Sequence, residues 1–183
     1  DVEKVELKGK SFVTTTSDGK IESKTVIVAT GASARMLGLP SEKKYIARGV
    51  HTCSVCDGFF YKDKEVVVIG GGDSAMEESL FLTRHAIKVI IIHRHDKFRA
   101  SKIMQDRVLS NKKISVIWDT VVEEILGDDN KVTAVKIKNK KANKITELKT
   151  DAVFLAIGHI PNTKFLGGLT EMNEVGFIKT DSR

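Results

Sequence analysis

Apolar and polar positions alternate in some stretches of the chain and run together in others, and that difference predicts its layers. Residues 2–8 and 11–16 alternate and then meet the turn signal Ser17-Asp18-Gly19, which predicts an antiparallel ribbon. Residues 65–69 (Glu-Val-Val-Val-Ile), 88–92 (Lys-Val-Ile-Ile-Ile) and 152–156 (Ala-Val-Phe-Leu-Ala) are near-continuous apolar runs. Runs of this kind suit strands covered on both faces, as in a parallel sheet. A further short buried strand is predicted over 25–29, Thr-Val-Ile-Val-Ala. Helical patterns cover 73–84 and 101–110, with a strand at 114–118. Three alternating segments, 121–126, 132–138 and 145–149, read as an antiparallel meander inserted before the last buried strand. The predicted fold class is α/β: a Rossmann-like, three-layer nucleotide-binding domain with a parallel sheet and an inserted β-meander.

Composition narrows the function classes. With 183 residues, 41% hydrophobic and 30% charged, the chain is neither disordered nor fibrous. The net charge of +6 sits largely on surface hairpins such as Lys138-Asn139-Lys140-Lys141. Aromatics are 6% and do not interleave with basic residues, so no nucleic-acid platform is expected. No apolar run approaches the ~18 residues of a membrane span. The N-terminus has neither signal-peptide nor transit-peptide character and lacks an initiating Met. A cytoplasmic location is expected, with the chain a piece of a longer protein.

Gly70-Gly71-Gly72-Asp73-Ser74-Ala75 fits G-x-G-x-x-G/A and lies between a predicted strand and a predicted helix. Gly70 permits the tight turn, Gly72 lets the backbone approach a pyrophosphate, and Ala75 lets helix and strand pack closely. Asp73 and Ser74 suit the helix N-terminus, whose amides face the phosphate charge. The second strand ends in His93-Arg94-His95 with Arg99 beyond, where an NAD site usually has an acid. Arg94 and Arg99 suit a 2′-phosphate, which favours NADPH over NADH.

Cys53-Ser54-Val55-Cys56 is a C-x-x-C pair. Two intervening residues bring both sulfurs within bonding reach, so one thiolate attacks and the other resolves. Asp57 follows at once and is placed to give a proton to a leaving thiolate. Half of a zinc site and an inert thiol pair are the alternatives. His51, His93 and His95 supply no recognised ligand spacing, so no metal is expected.

Taken together, Cys53-Ser-Val-Cys56-Asp57-Gly58-Phe59-Phe60-Tyr61, Val68-Ile69-Gly-Gly-Gly72-Asp-Ser-Ala75-Met-Glu77-Glu78 and His93-Arg94-x-x-x-Phe98-Arg99-Ala100 closely resemble low-molecular-weight, bacterial-type thioredoxin reductases. So do Ala29-Thr30-Gly31-Ala32 upstream and Ala156-Ile157-Gly158-His159-x-Pro161-Asn162-Thr163 downstream. The resemblance covers essentially the whole chain and implies a flavoprotein with two dinucleotide-binding domains. Residues 34–160 would be the NADPH domain carrying the redox pair. Residues 1–33 and 161–183 would be parts of the FAD domain. Electrons would pass from NADPH through FAD to the Cys53–Cys56 disulfide and on to thioredoxin, in a cytoplasmic homodimer.

By the same resemblance, Cys56 would face the flavin, Cys53 would exchange with thioredoxin, and Asp57 would be the general acid. His159 is a second acid/base candidate, with a plain turn residue the favoured role. The implied cofactor contacts are Gly70, Gly72, Asp73, Ser74, Ala75, Glu77, His93, Arg94, Arg99, Ile157, Gly158, Thr30 and Gly31. Residue 95 is His where the family usually has a second arginine. The family's Gly-rich FAD fingerprint and its C-terminal Gly-Asp flavin segment have no counterpart here, so weak flavin binding is expected of this chain alone. The flavoprotein subunit of an alkyl hydroperoxide reductase is an alternative, against which Ser54 counts because that family usually has Pro there. A nucleotide-binding module without turnover is another.

Overall fold

A computed structural model describes residues 1–181. Residues 182 and 183, the end of the expected 161–183 segment, lie outside the described residues. The strands and helices follow in chain order. They begin with β1 (Val2–Lys8), β2 (Ser11–Thr16), β3 (Gly19–Ser23), β4 (Ala32–Ala34), α1 (Pro40–Lys44) and β5 (Val50–His51). Next come α2 (Ser54–Asp57), β6 (Glu65–Gly70), α3 (Asp73–Leu82), β7 (Lys88–Ile92), α4 (Lys102–Leu109) and β8 (Ile114–Ile117). The chain continues with β9 (Thr120–Gly127), β10 (Val132–Asn139), β11 (Lys144–Lys149), β12 (Ala152–Ala156) and β13 (His159–Pro161). Among the described residues no helix is long and apolar enough to cross a membrane.

The chain divides into two compact units, Ala34–Gly158 and a second made of Asp1–Ser33 with the stretch from His159 onward. In the latter, β1, β2 and β3 form an antiparallel sheet in that order. The third strand was not evident from the sequence: Gly19-Lys-Ile-Glu-Ser23 has one large apolar residue and no alternation to read. The buried strand predicted over 25–29 is absent. That segment pairs with no strand among the described residues, and Ile27 is 92% exposed. A β-branched run favours extended backbone, but a strand also needs a hydrogen-bonding neighbour and a covered face.

The larger unit is built on a five-stranded parallel sheet in the order β5-β12-β6-β7-β8. Its strands bury both faces, which explains their unbroken apolar runs. Val66, Val68, Val89, Ile91, Phe154 and Ala156 point to one face and pack on Ala75, Met76 and Leu82 of α3 and Val108 of α4. Val67, Ile69, Ile90, Ile92, Val153 and Leu155 point to the other and meet Val122, Ile125, Val132, Val135 and Ile137 of β9 and β10. The β11-β10-β9 meander therefore replaces the helices that usually cover the second face, giving three layers. The α3 stripe Ala75, Met76, Ser79, Leu82 has helical spacing and is wholly buried.

Candidate functional site

Strand order reverses between β6 and β12: β7 and β8 follow on one side, and β5 lies on the other. In open parallel sheets that reversal opens a crevice beyond the carboxyl ends of the strands. A cavity of about 430 Å³ lies there, lined by Gly70, Gly71, Arg94, Arg99, Ile157 and Arg35 among others. No carboxylate is among its lining residues.

The fingerprint glycines have different reasons to be glycine. A Cβ on Gly70 would collide with the Ala156 carbonyl oxygen and stand 2.7 Å from Ala75 Cβ. A Cβ on Gly71 would enter the His93 ring, 2.7 Å from Nε2. Gly72 caps α3, and among the described residues nothing lies within 4 Å of its Cβ position, so a side chain there would stand in open space. Gly70 and Gly71 are thus fixed by packing, and Gly72 leaves the helix N-terminus open to an anion.

His93 is buried, with Nε2 3.0 Å from the Lys97 carbonyl oxygen, and burial holds its pKa below the usual histidine range. It braces the turn at Gly71 against the loop after β7. Arg99 ties the same two segments by donating its backbone N–H to Gly71 O at 2.8 Å. Arg94 and Arg99 are exposed and line the cavity. Asp73 accepts hydrogen bonds from Ser101 N (2.9 Å) and Ser101 Oγ (2.7 Å), which lower its pKa and join the N-termini of α3 and α4. Ser74 and Glu77 are exposed on α3 and outside the cavity lining. Ile157 is at the cavity, and Gly158 O accepts the Arg35 N–H at 2.9 Å. Arg35 was not singled out from the sequence, because one arginine in a loop carries no pattern.

Thr30 and Gly31 belong to the other unit. The Thr30 hydroxyl is engaged by Asn162 O at 2.7 Å, and Gly31 adopts φ +61° and accepts from Asn162 N–H at 3.0 Å.

Cys53 and Cys56 form a disulfide, with Cα atoms 5.3 Å apart. Cys53 caps α2, and its Sγ accepts the Cys56 N–H at 3.2 Å. Cys53 is half-buried and Cys56 exposed. The turn after α2 packs on the fingerprint helix: a Cβ on Gly58 would stand 3.0 Å from Leu82 Cδ2. Two carboxylates lie nearby. Asp57 Oδ2 is 3.0 Å from His51 Nδ1. Glu78 on α3 is pushed up to about 7 by burial, against the opposing effect of the Ser54 backbone N–H, and its Oε2 has no hydrogen-bond partner among the described residues. Neither His51 nor Glu78 was assigned a role from the sequence.

The family described as pyridine nucleotide-disulphide oxidoreductase matches residues 1–183. The chain is 50% identical to a thioredoxin reductase of Rickettsia conorii, an alignment covering 99% of this chain and 59% of that protein. It is 44% identical to a thioredoxin reductase of Streptomyces coelicolor over 100% of this chain and 56% of that one. The crystal structure of Lactococcus lactis thioredoxin reductase superposes with a TM-score of 0.88 at 44% identity, covering 100% of this chain and 60% of that one. The chain therefore spans less than two-thirds of the length of these relatives. The cavity, the disulfide and the family match agree: the chain belongs to the pyridine nucleotide-disulphide oxidoreductase family.

Proposed function

We propose that the chain is the redox and nucleotide-binding part of a thioredoxin reductase, a cytoplasmic homodimer that passes electrons from NADPH to thioredoxin. One observation carries the reading. A disulfide helix and a dinucleotide fingerprint helix pack together in a single unit, beside a cavity that presents Arg94 and Arg99 and no carboxylate. The identity to thioredoxin reductases supports the same substrate over a hydroperoxide reductase partner. When bound, NADPH would supply a hydride and FAD would pass the electron pair to the disulfide.

The chain's own residues have these roles. Gly70, Gly72, Ala75 and the first turn of α3, with Asp73 and Ser74, hold the pyrophosphate, and Arg94 and Arg99 hold the 2′-phosphate. His93 braces that site, while Glu77, Ile157 and Gly158 border the dinucleotide. Residues 34–160 would form the NADPH domain, although the compact unit ends at Gly158. Residues 1–33 and 161–183 would belong to the FAD domain, where Thr30 and Gly31 would border the flavin. Cys53 and Cys56 carry the electron pair as a dithiol, and Asp57 moves the proton that accompanies it.

The test is NADPH oxidation by the full-length protein with thioredoxin as acceptor. Turnover that needs thioredoxin, and that is lost in Cys53→Ser and Cys56→Ser, is expected. A flavin-loaded full-length protein that leaves thioredoxin oxidised refutes the reading.

A further inference from the structure

We propose that His51 is a positioning residue for disulfide exchange, holding Asp57 in the orientation from which its carboxylate moves protons to and from the exchanging sulfurs. The inference rests on the redox reading of Cys53–Cys56 and adds a residue to it.

His51 ends the two-residue strand β5 and is only 8% exposed. Its ring stacks on Phe154 with centroids 5.2 Å apart and meets Tyr61 edge-on at 5.3 Å. Its Nδ1 is 3.0 Å from Asp57 Oδ2, and its Nε2 is 2.7 Å from the Tyr61 hydroxyl. An ionised carboxylate only accepts, so Nδ1 carries the hydrogen given to Asp57. In that tautomer Nε2 accepts, and the Tyr61 hydroxyl donates to it. Burial, and after it Asp57 and Asp151, push the Tyr61 hydroxyl up to about 12, which keeps it a donor. The chain of hydrogen bonds therefore runs from Tyr61 through His51 to Asp57. Asp57 and Tyr61 are the titratable groups that touch the ring. Asp151 acts on Tyr61 from the turn between β11 and β12, with Lys64 Nζ 3.9 Å from it.

Asp57 lies on a four-residue helix and donates its backbone N–H to Cys53 O at 3.2 Å. Without His51 its partly exposed carboxylate would be free to turn into solvent. With Oδ2 held, Oδ1 remains for the sulfur chemistry. Once the pair is reduced, Asp57 carries the proton given up by Cys53, and the Cys53 thiolate attacks one sulfur of an external disulfide. The Cys53–sulfur bond forms and the external S–S bond breaks. The departing thiolate takes the proton from Asp57. Asp57 then accepts the Cys56 proton as Cys56 attacks Cys53 Sγ, and it passes that proton to the second departing thiolate. Two cysteines are oxidised, one disulfide is reduced to two thiols, and Asp57 ends as it stands here.

The experiment follows re-oxidation of the reduced chain by glutathione disulfide, counting free thiols after acid quench, in a double-mutant cycle of His51→Phe and Asp57→Asn. Phenylalanine keeps the stack on Phe154 and removes both hydrogen bonds. His51→Phe is expected to slow exchange about 10-fold, a fraction of the 10²–10⁴ that a positioned proton-transfer group contributes. It should also move the rate–pH profile onto that of Asp57→Asn, yet slow the Asp57→Asn chain no further. His51→Asn, which retains a donor near the Nδ1 position, should recover most of the rate. Equal slowing in both Asp57 backgrounds, or no slowing, overturns the proposal, because a merely structural histidine acts independently of Asp57. If His51→Phe fails to fold, Tyr61→Phe replaces it, with a smaller loss that must likewise vanish with Asp57→Asn. No thioredoxin, NADPH or flavin is present, so the outcome is independent of whether thioredoxin is the substrate.

Discussion

Gly70 and Ala156 are register partners at the carboxyl ends of the parallel strands β6 and β12, and no side chain fits between them. A Cβ on Gly70 would collide with the Ala156 carbonyl oxygen, which is backbone and cannot swing away. Gly72, two residues on, has open space at the same position. Gly70→Ala should therefore lower stability by about 1–3 kcal/mol, the usual effect of overpacking. Gly72→Ala should melt like the wild type and lose affinity for NADPH. Urea unfolding and cofactor titration of the two variants separate these effects. Equal stability of Gly70→Ala and wild type would show that the crevice can open at no cost.

The two arginines make the cofactor preference testable without turnover. Each charge-assisted contact to a 2′-phosphate contributes about 1.5–3 kcal/mol. Arg94→Ala and Arg99→Ala should each weaken NADPH binding roughly 10- to 100-fold and leave NADH nearly unchanged. Calorimetric titration of both cofactors reads this directly. An equal loss for the two cofactors would instead assign the arginines to the shared pyrophosphate.

What the sequence made legible follows from how each feature is encoded. Val66–Ile69, Val89–Ile92 and Ala152–Ala156 read as strands because both faces of the sheet are covered, so every position is apolar. The meander read correctly because β9 and β10 bury one face each and alternate. The run at 25–29 has the same composition as those strands and still forms none, since pairing depends on a neighbour that composition cannot supply. His51 could be weighed from the sequence only as a zinc ligand, and its actual contacts were hidden for a different reason. A two-residue strand has no periodicity, and the contacts that give His51 meaning come from Asp57, Tyr61 and Phe154, on three other segments. Glu78 was closer to legible: it adjoins the buried stripe of Ala75, Ser79 and Leu82, where a carboxylate is out of place.

That misplaced carboxylate predicts a pH-dependent stability. Burial lifts Glu78 from near 4.5 to about 7. The folded chain thus holds a proton that the unfolded chain has already released, and its contribution to stability is fully present below about pH 4.5. It is lost as pH rises to about 7 and is level above that. Because Glu78 is partly solvated, the loss should be about 1–2 kcal/mol, less than the whole shift would give. Glu78→Gln, which keeps the shape and removes the charge, should abolish this part of the pH dependence and be the more stable form at alkaline pH. Urea midpoints measured on either side of the transition decide it. A variant that tracks the wild type at every pH would mean the carboxylate is solvated when ionised.

Cys53 and Cys56 compete to be the sulfur that meets an external disulfide. Access favours Cys56, which is exposed, over half-buried Cys53. Hydrogen bonding favours Cys53, whose Sγ accepts the Cys56 N–H at 3.2 Å. That bond survives reduction if α2 keeps its shape, and it stabilises a thiolate more than a thiol. A backbone hydrogen bond contributes about 1 kcal/mol, roughly a fivefold gain in the thiolate at neutral pH. Half-burial leaves the Cys53 sulfur open to attack at the cap of α2. Cys53 should therefore be the nucleophile. Cys56→Ser, which keeps Cys53, should alkylate several-fold faster with iodoacetamide at neutral pH than Cys53→Ser. It should also accumulate a stable mixed disulfide with thioredoxin, having lost the thiol that resolves it. The reverse order of reactivity, with adduct forming only in Cys53→Ser, would show that exposure outweighs the hydrogen bond and would exchange the roles of the two cysteines.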